Sequence, residues 1–228
     1  MTEFTTWRSL VDGDEIFAIP DFLDNWEDAP DGLYESDETI VDYWSGSTGD
    51  YERSTDADYR GDFGLVTVGT SDPGFIHFDG DEPAEGEAVS ALFKRGENDA
   101  NPTIYAAVPD DQSDQGYGLY FTSLGVGLVI RNPSFDATWG PTIDISDDIS
   151  SGEVFEAVIE PPESGDDTIR FAVYTLSDID GMERDEKVGE ETKTDTEFAG
   201  NTGVAIARES GSDTGPHIGD LFAGHSID

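Results

Sequence analysis

Apolar and polar residues alternate with a period of two along most of the chain. In EVFEAVIE the side chains of Phe155, Ala157 and Ile159 share one face, while Glu156 and Glu160 share the other. The segments TIRFAVYT, AVSALFKR and PTIYAAV alternate in the same way, and YGLYFTSLGVGLVIRN has the pattern of two strands joined by a turn. Because successive side chains of a β-strand point to opposite faces, these segments are predicted to be half-buried strands.

Turn residues separate the predicted strands, and helical patterns are nearly absent. Each segment is bounded by Gly, Pro, Asp or Asn, which turns favour. Residues 21–28, DFLDNWED, could form one turn of helix with Phe22, Leu23 and Trp26 inward. About a dozen closely spaced strands without helical crossovers predict an all-β fold, a two-sheet antiparallel sandwich or jelly roll.

Acidic residues dominate the composition. The 228 residues include 52 acidic and 11 basic ones, and the formal net charge is -41. Hydrophobic residues make up 36% of the chain and aromatic residues 11%, which is too much for an acidic disordered segment. The chain can therefore bury a core. Nucleic acids and anionic membranes are disfavoured as partners, because few cations are present to contact phosphates.

Lysine is rare among the cations, and cysteine is absent. Only Lys94, Lys187 and Lys193 are lysines. An acid-rich and lysine-poor chain resembles proteins of haloarchaea and their viruses, in which molar salt screens the self-repulsion of the acidic surface. The absence of cysteine excludes disulfides and thiolate metal sites. We find no secretory signal pattern and no apolar run of the about 18 residues that a membrane span needs, so we expect no membrane insertion.

The order of the predicted strands resembles that of concanavalin A-like lectin/glucanase domains. EVFEAVIE, TIRFAVYT, NTGVAIARESGS and HIGDLFAG follow one another as strand, hairpin, Gly-containing inner strand and closing strand, with Gly203 and Asp220 at two positions of the family pattern. IPDFLDNWED resembles the opening segment of that family, which pairs with the closing strand. The resemblance covers residues 21–224. It implies a sandwich domain over residues 21–228, preceded by an arm or attachment segment at residues 1–20.

A tyrosine-rich segment provides candidate sugar-binding residues. Sugars stack on exposed aromatic faces and take hydrogen bonds from polar side chains. In VDYWSGSTGDYERSTDADYRGD and in DATWGP the candidate glycan-binding residues are Tyr43, Trp44, Tyr51, Arg53, Tyr59 and Trp139. The alternative is that the two tryptophans pack against the core, as most tryptophans do.

Metal binding and catalysis receive less support from the sequence. The resemblance implies a structural Ca²⁺ near the paired first and last strands, with Asp21, Asp24 and Asp220 as candidate ligands. The alternative is that Asp220 caps a turn. The Glu-x-Asp-x-x-Glu pattern of the family's hydrolases is absent. Glu156 and Glu160 share a face, but in so acidic a chain we interpret them as solvated surface, and we predict that the protein is not an enzyme.

The N-terminal residues suggest where such a protein would act. TTWRSLVDGDEIFAIP is similar to the openings of phage tail and fibre proteins. The first hypothesis is a structural or host-recognition protein on the surface of a haloarchaeal virus particle, as capsid decoration, turret or tail component. Its expected partners are other virion proteins, further copies in a homo-oligomer, and host surface glycans or S-layer glycoprotein. The alternatives are a cellular haloarchaeal carbohydrate-binding module, extracellular or cytoplasmic, and a glycoside hydrolase that uses Glu156 and Glu160.

The charge predicts that stability depends on salt. Raising the salt from about 0.1 M to about 1 M shortens the Debye length from about 10 Å to about 3 Å, which screens the repulsion among the acidic residues. We expect the midpoint of thermal unfolding to rise by about 10 °C between dilute buffer and multimolar salt, or about 3 kcal/mol for a chain of this length. Calorimetry at both salt concentrations measures this rise. Equal midpoints would contradict adaptation to salt.

Overall fold

Sixteen antiparallel strands form three sheets in the part of the chain that the structure describes. This computed structural model describes residues 21–24, 44–47, 51–54, 59, 64–67, 74–79, 82–95, 102–110, 114–132, 137–179, 182–208, 217–218 and 221–227. The expected arm at residues 1–20 lies outside these ranges. Within them, no helix is long and apolar enough to cross a membrane.

Two large sheets and one small sheet share the strands, which are numbered in chain order. The seven-stranded sheet consists of β2 (Trp44–Gly46), β5 (Phe75–Phe78), β7 (Pro102–Val108), β8 (Gly116–Phe121), β9 (Gly125–Arg131), β10 (Ala137–Asp144) and β14 (Gly203–Arg208). The six-stranded sheet consists of β1 (Asp21–Asp24), β6 (Val89–Lys94), β11 (Val154–Glu160), β12 (Thr168–Asp178), β13 (Glu183–Thr194) and β16 (Leu221–Ala223). The three-stranded sheet consists of β3 (Tyr51–Ser54), β4 (Gly64–Thr67) and β15 (His217–Ile218).

The strand orders are those of an antiparallel sandwich. They are β10-β9-β8-β7-β14-β5-β2 in the seven-stranded sheet, β1-β16-β6-β11-β12-β13 in the six-stranded sheet and β15-β4-β3 in the small one. Strands that are distant in the sequence pair in both large sheets, as β14 does between β7 and β5. The predicted two-sheet jelly-roll sandwich is confirmed.

One apolar core lies between the two large sheets. Phe93 of β6, Phe121 of β8 and Phe155 of β11 are fully buried in it, and their ring centroids lie 5.1 to 6.0 Å apart. Ala157 and Ile159 are buried on the same side of β11, as the alternation in EVFEAVIE predicts. Burial of each large apolar side chain contributes about 1.5 to 3 kcal/mol relative to an exposed one, so the sheets are held together chiefly by this layer.

The first described strand pairs with the last. In β1 and β16, Phe22 lies opposite Phe222 and Asp21 opposite Ala223. The predicted pairing of the opening segment with the closing strand is therefore confirmed. The possible helical turn is wrong for residues 21–24, which are extended, while residues 25–28 lie outside the described ranges. A single helical turn is costly to nucleate, whereas the edge of a sheet offers backbone partners at once.

The outer face of the six-stranded sheet is covered. The β12–β13 hairpin continues past the start of β11, and near its tip Leu176, Ile179 and Met182 pack with Leu92. At the other end of the sheet, Ile227 belongs to a second apolar cluster with residues of β11 and β12. The outward side chains that are buried beneath other parts of the chain include Leu92, Val158, Ala172 and Tyr174.

Glu156 lies on this covered face, so its interpretation as solvated surface was wrong. Its side chain is 0% exposed. Arg184 of β13 donates from Nε to Oε2 at 2.7 Å and from Nη2 to Oε1 at 3.1 Å, and Nδ1 of His225 lies 2.8 Å from Oε1. Glu160 is also paired, since Nη1 of Arg170 donates to its Oε2 at 3.0 Å. The strand pattern predicted the face but not the chain segments that cover it.

The partners of Glu156 decide its charge. Burial by itself raises the pKa of Glu156, but the hydrogen bonds from His225 and Arg184 together outweigh burial and hold the pKa below its usual value. The guanidinium of Arg184 also lies over the ring of Tyr174, 4.0 Å from its centroid. The carboxylate is therefore ionised at neutral pH and joins β11 to β13 and to the segment that contains His225.

Replacing this carboxylate should destabilise the protein strongly. Glu156→Gln leaves Arg184 without its counter-charge, and removing one partner of a buried pair costs about 3 to 5 kcal/mol. Because the folded pKa of Glu156 is lowered, the carboxylate stabilises the protein above the ordinary glutamate pKa of about 4.3, and this contribution is lost as the pH falls through the folded value. Denaturant unfolding at pH 7 and at pH 3 measures both effects.

The control for this substitution is Glu191→Gln, which changes an exposed glutamate on β13. We expect it to alter the free energy of unfolding by less than about 0.5 kcal/mol. The difference between wild type and Glu156→Gln should shrink from pH 7 to pH 3. Similar losses in the two variants would contradict the role of the buried carboxylate.

Candidate functional site

The outer face of the seven-stranded sheet carries aromatic and polar side chains. Alternation along β7, β8 and β9 places Tyr105, Tyr120 and Val129 on the side away from the core. They form a separate cluster there with Phe75 of β5 and Ala205 of β14. This cluster is separate from the core and contains the aromatic rings of Phe75, Tyr105 and Tyr120.

Trp139 lies at the edge of this face. It belongs to the edge strand β10, opposite Val129, and its side chain is 54% exposed. Its indole meets the ring of Tyr120 edge to face, with centroids 4.7 Å apart and an interplanar angle of 87°. The Tyr120 hydroxyl oxygen lies 3.3 Å from Oγ1 of Thr142. The indole is thus exposed, and its aromatic neighbour is itself held by a second contact.

Glycines on adjacent strands make room for the two tyrosine rings. A Cβ at Gly127 would lie 2.3 Å from Cζ of Tyr120, and a Cβ at Gly118 would lie 2.7 Å from Cε1 of Tyr105. Any side chain at these positions would force the rings to move. The alternate glycines in GYGLYF and GVGLVIR therefore let both rings approach the backbone of the neighbouring strand.

A buried polar pair lies on the same face. His77 of β5 is 5% exposed, and its Nε2 lies 3.1 Å from Oδ1 of Asp114. A carboxylate only accepts hydrogen bonds, so the Nε2–H group of His77 donates to Asp114. Nδ1 is buried and has no hydrogen-bond partner within the described residues. The pair lies on the same face as the aromatic cluster, since His77 and Phe75 alternate with Ile76 along β5.

Arg131 links the polar and aromatic residues. It is 6% exposed, its Nε donates to the hydroxyl of Tyr105 at 3.4 Å, and its guanidinium lies 5.1 Å from the ring centroid of Phe75. The rings of Phe75 and His77 are stacked with centroids 6.2 Å apart. A cation over an aromatic face is stabilised by the charge distribution of the ring. These contacts join β9, β7 and β5 through side chains on the same face that carries Trp139.

Three of the aromatic residues expected to bind glycans are buried. Trp44 and Tyr51 are 2% exposed and Tyr59 is 8% exposed. Trp44 packs against Phe78 in the core, with ring centroids 5.3 Å apart, and the hydroxyl of Tyr51 donates to the carbonyl oxygen of Gly74. A stacking platform needs an exposed face, so the expectation is corrected for these three side chains. The alternative that Trp44 packs in the core is the one that its burial supports.

The other candidates are placed less completely. Tyr43 lies outside the described residues, and Arg53 belongs to β3, with its side chain outside the described part. Asp21 and Asp24 are the two ends of β1, and Asp220 lies outside the described residues. No group of three or more His, Cys, Asp or Glu side chains that could hold a metal ion occurs among the residues that the structure describes. The Ca²⁺ site stays a prediction.

The sequence reasoning did not single out Tyr120, His77, Asp114 or Arg131. A signal for Tyr120 was present, since glycine occupies alternate positions in GYGLYF and GVGLVIR, where a neighbouring ring can cross the strand. Nothing in the sequence brings His77 and Asp114 together, because they are 37 residues apart and meet only after the sheet has formed.

Comparison with known proteins was made at the level of sequence and of structure. No protein-family model matches the chain, and no curated protein matches it. Among solved structures, the chain is similar to a glycoside hydrolase family 16 endo-glucanase from Bacteroides ovatus, with a TM-score of 0.50 and 10% identity over 88% of this chain and 98% of the other. The fold is a concanavalin A-like jelly roll.

The chain is also similar to two further solved structures. The carbohydrate-binding module CBM66 from Bacillus subtilis has a TM-score of 0.47 and 12% identity over 82% of this chain and 94% of its own. The exoplasmic/lumenal domain of VIP36, in a form bound to Ca²⁺ and Man3GlcNAc, has a TM-score of 0.49 and 8% identity over 82% and 85%. At such identities the function has to be argued from the side chains of this chain.

Trp44 is buried and Trp139 is exposed, so replacing each with alanine should lower the free energy of unfolding by different amounts. Trp44→Ala opens a cavity in the core and should lower the free energy of unfolding by about 3 to 5 kcal/mol. Trp139→Ala removes an indole that is 54% exposed and should cost about 1 kcal/mol or less. Denaturant unfolding in molar salt measures both values. Comparable costs in the two variants would contradict the placement of Trp139 at the surface.

Proposed function

We propose that the protein is a non-enzymatic glycan-binding protein that holds a sugar against Trp139 on the outer face of the seven-stranded sheet. The exposed indole of Trp139 carries the proposal. In the described part of the chain only two large hydrophobic side chains are exposed, Leu124 at 65% and Trp139 at 54%. Exposed aromatic rings are favourable contacts for the C–H faces of sugars, because they combine a large apolar surface with little conformational entropy to lose.

The surroundings of Trp139 supply both orientation and hydrogen bonds. Tyr120 supports the indole edge to face, and the hydroxyls of Tyr120 and Thr142 lie 3.3 Å apart. Either hydroxyl can donate to or accept from a sugar hydroxyl. An aromatic face beside a small number of placed polar groups is the usual make-up of a small-molecule site.

The carboxylates of β11 support a non-enzymatic role. Glycoside hydrolysis generally needs two accessible carboxyl groups about 5 to 10 Å apart. Glu156 is fully buried and hydrogen-bonded to Arg184 and His225, and Glu160 is paired with Arg170. Both lie on the opposite sheet from Trp139. A hydrolase that used this pair would first have to break its ion pairs.

We further propose that the protein acts on the surface of a haloarchaeal virus particle, as a capsid decoration, turret or tail component. The 52 acidic and 11 basic residues support a molar-salt habitat, and residues 1–20 resemble phage tail and fibre openings. Its partners would be other virion proteins and host surface glycans or S-layer glycoprotein. A homo-oligomer would multiply weak sugar contacts. Finding the chain in purified particles would support this role, while a host-encoded chain absent from particles would favour the cellular carbohydrate-binding module.

Binding to haloarchaeal cells in multimolar salt tests the proposed function. We expect labelled protein to bind cells and to lose binding after surface glycans are stripped. Trp139→Ala should weaken binding at least about tenfold, since truncating a central tryptophan commonly costs more than about 1.4 kcal/mol. Gly127→Ala should also weaken binding, because it displaces the ring of Tyr120.

Leu124→Ala is the matched control, because Leu124 is the other exposed large hydrophobic residue and lies in the turn between β8 and β9. It should leave binding unchanged. Binding that survives Trp139→Ala would refute the site, and the absence of binding to cells with or without glycans would refute sugar recognition in favour of an architectural role. Release of reducing sugar by the purified wild type would instead identify a hydrolase.

A further inference from the structure

Residues 224–227, here called the strap, lie across the outer face of the six-stranded sheet. After β16 the chain turns at Gly224, which has a positive φ of 81° and donates its N–H to the carbonyl of Ala88 at 3.0 Å. Ile227, at the far end of the strap, is 2% exposed and packs in a cluster with Ala88, Val158, Ala172 and Tyr174. The strap therefore covers an apolar strip of the sheet.

Side chains of the sheet hold the backbone of the strap. Arg184 donates from Nη2 to the carbonyl oxygen of His225 at 2.9 Å and from Nη1 to that of Ser226. The hydroxyl of Tyr174 donates to the carbonyl oxygen of Ile227. These contacts come from β12 and β13 and do not involve regular strand pairing. The strap is therefore joined to the sheet by side-chain contacts and not by a strand ladder.

One side chain of the strap reaches the buried carboxylate. Nδ1 of His225 lies 2.8 Å from Oε1 of Glu156, and the imidazole is 19% exposed. Glu156 also binds Arg184, which in turn holds two strap carbonyls. The Glu156 carboxylate therefore binds the strap directly through His225 and indirectly through Arg184.

The charged groups around His225 come from each element packed against it. Glu156 belongs to β11 and Arg184 to β13, and Glu160 of β11 accepts from the N–H of Ile227 at 2.6 Å. Arg184 and Lys187 both lie over the ring of Tyr174, at 4.0 and 5.7 Å from its centroid. Glu87 lies beside the turn at Gly224, where an added Cβ would come within 3.0 Å of its Oε1. The group in direct contact with the imidazole nitrogen is the carboxylate.

Protonation of His225 changes the strength of this contact. The neutral ring can donate from Nδ1–H, and the imidazolium donates the same bond with a positive charge. Charge-assisted hydrogen bonds are roughly twice as strong as neutral ones, and burial of Glu156 shields the pair from solvent. Histidine is the side chain whose charge ordinarily changes between about pH 5 and 8.

We propose that the attachment of the strap to the six-stranded sheet depends on pH. The strap is held tightly when His225 is protonated and loosens when His225 is neutral, which uncovers Ala172 and Tyr174. Glu156 is the fixed anchor in both states, because its charge is retained throughout this range. The device lies on the sheet opposite the proposed sugar site, and it does not depend on sugar binding.

Hydrogen exchange of the C-terminal peptide tests the proposal in the full chain. Exchange is followed by mass spectrometry in molar salt from pH 5 to pH 8 and corrected for the intrinsic rate at each pH. We expect the protection of the Ser226 and Ile227 amides to fall by about tenfold from pH 5 to pH 8 in the wild type. In His225→Gln, which keeps an uncharged donor, protection should be independent of pH and close to the wild-type value at pH 8.

His217→Gln is the matched control, since it removes a histidine of β15 in the small sheet. It should retain the pH dependence. A flat wild-type profile, or an unchanged slope in His225→Gln, would overturn the proposal. Should His225→Gln fail to fold, NMR of the wild type decides: the ring protons of His225 and the protection of the Ile227 amide must change with one midpoint, and two separate midpoints would also overturn it.

Discussion

Two β-sheets pack against each other through one layer of apolar side chains, and this contact decides which side chains face outward on both sides of the sandwich. Along a strand the choice is binary, because a shift of register by one residue would exchange the two faces completely. Burying Phe121 in the core therefore places Tyr120 outside, and burying Phe155 places Glu156 outside. Both functional arguments begin with side chains that the core has positioned without contacting them.

Few basic side chains are available to pair with the many carboxylates of this chain. Only 11 basic residues accompany 52 acidic ones, yet Arg170, Arg184 and Lys187 all lie on or over the outer face of the six-stranded sheet and pair with carboxylates there. A buried carboxylate is tolerated only when it is paired and hydrogen-bonded, so Glu156 needs Arg184 beside it. Screening by salt can replace pairing for exposed acids, whereas a buried acid such as Glu156 requires a specific partner.

The sequence predicted the features that follow from local periodicity. The strands, the antiparallel sandwich and the pairing of β1 with β16 could be read from alternation and element order. The prediction from sequence failed where the burial of a side chain depends on segments that are distant along the chain. Glu156 has the same pattern as an exposed glutamate until the hairpin and the strap cover it, and Trp44 lies in a polar stretch yet packs on Phe78, which is 34 residues away. The Tyr120 ring was missed for a different reason, because its partner Gly127 is known only once the register of β8 and β9 is fixed.

The two outer faces of the concanavalin A-like sandwich have opposite characters, and this difference favours the seven-stranded sheet as the place for recognition. On the six-stranded sheet the chain covers its own apolar strip, so an incoming ligand would have to displace the strap. On the other sheet an indole remains 54% exposed although burial would have gained hydrophobic free energy. Gly127 leaves room for the ring of Tyr120, which meets the indole of Trp139 edge to face. The proposed sugar contact would cover this indole and gain the hydrophobic free energy that the fold by itself leaves unused.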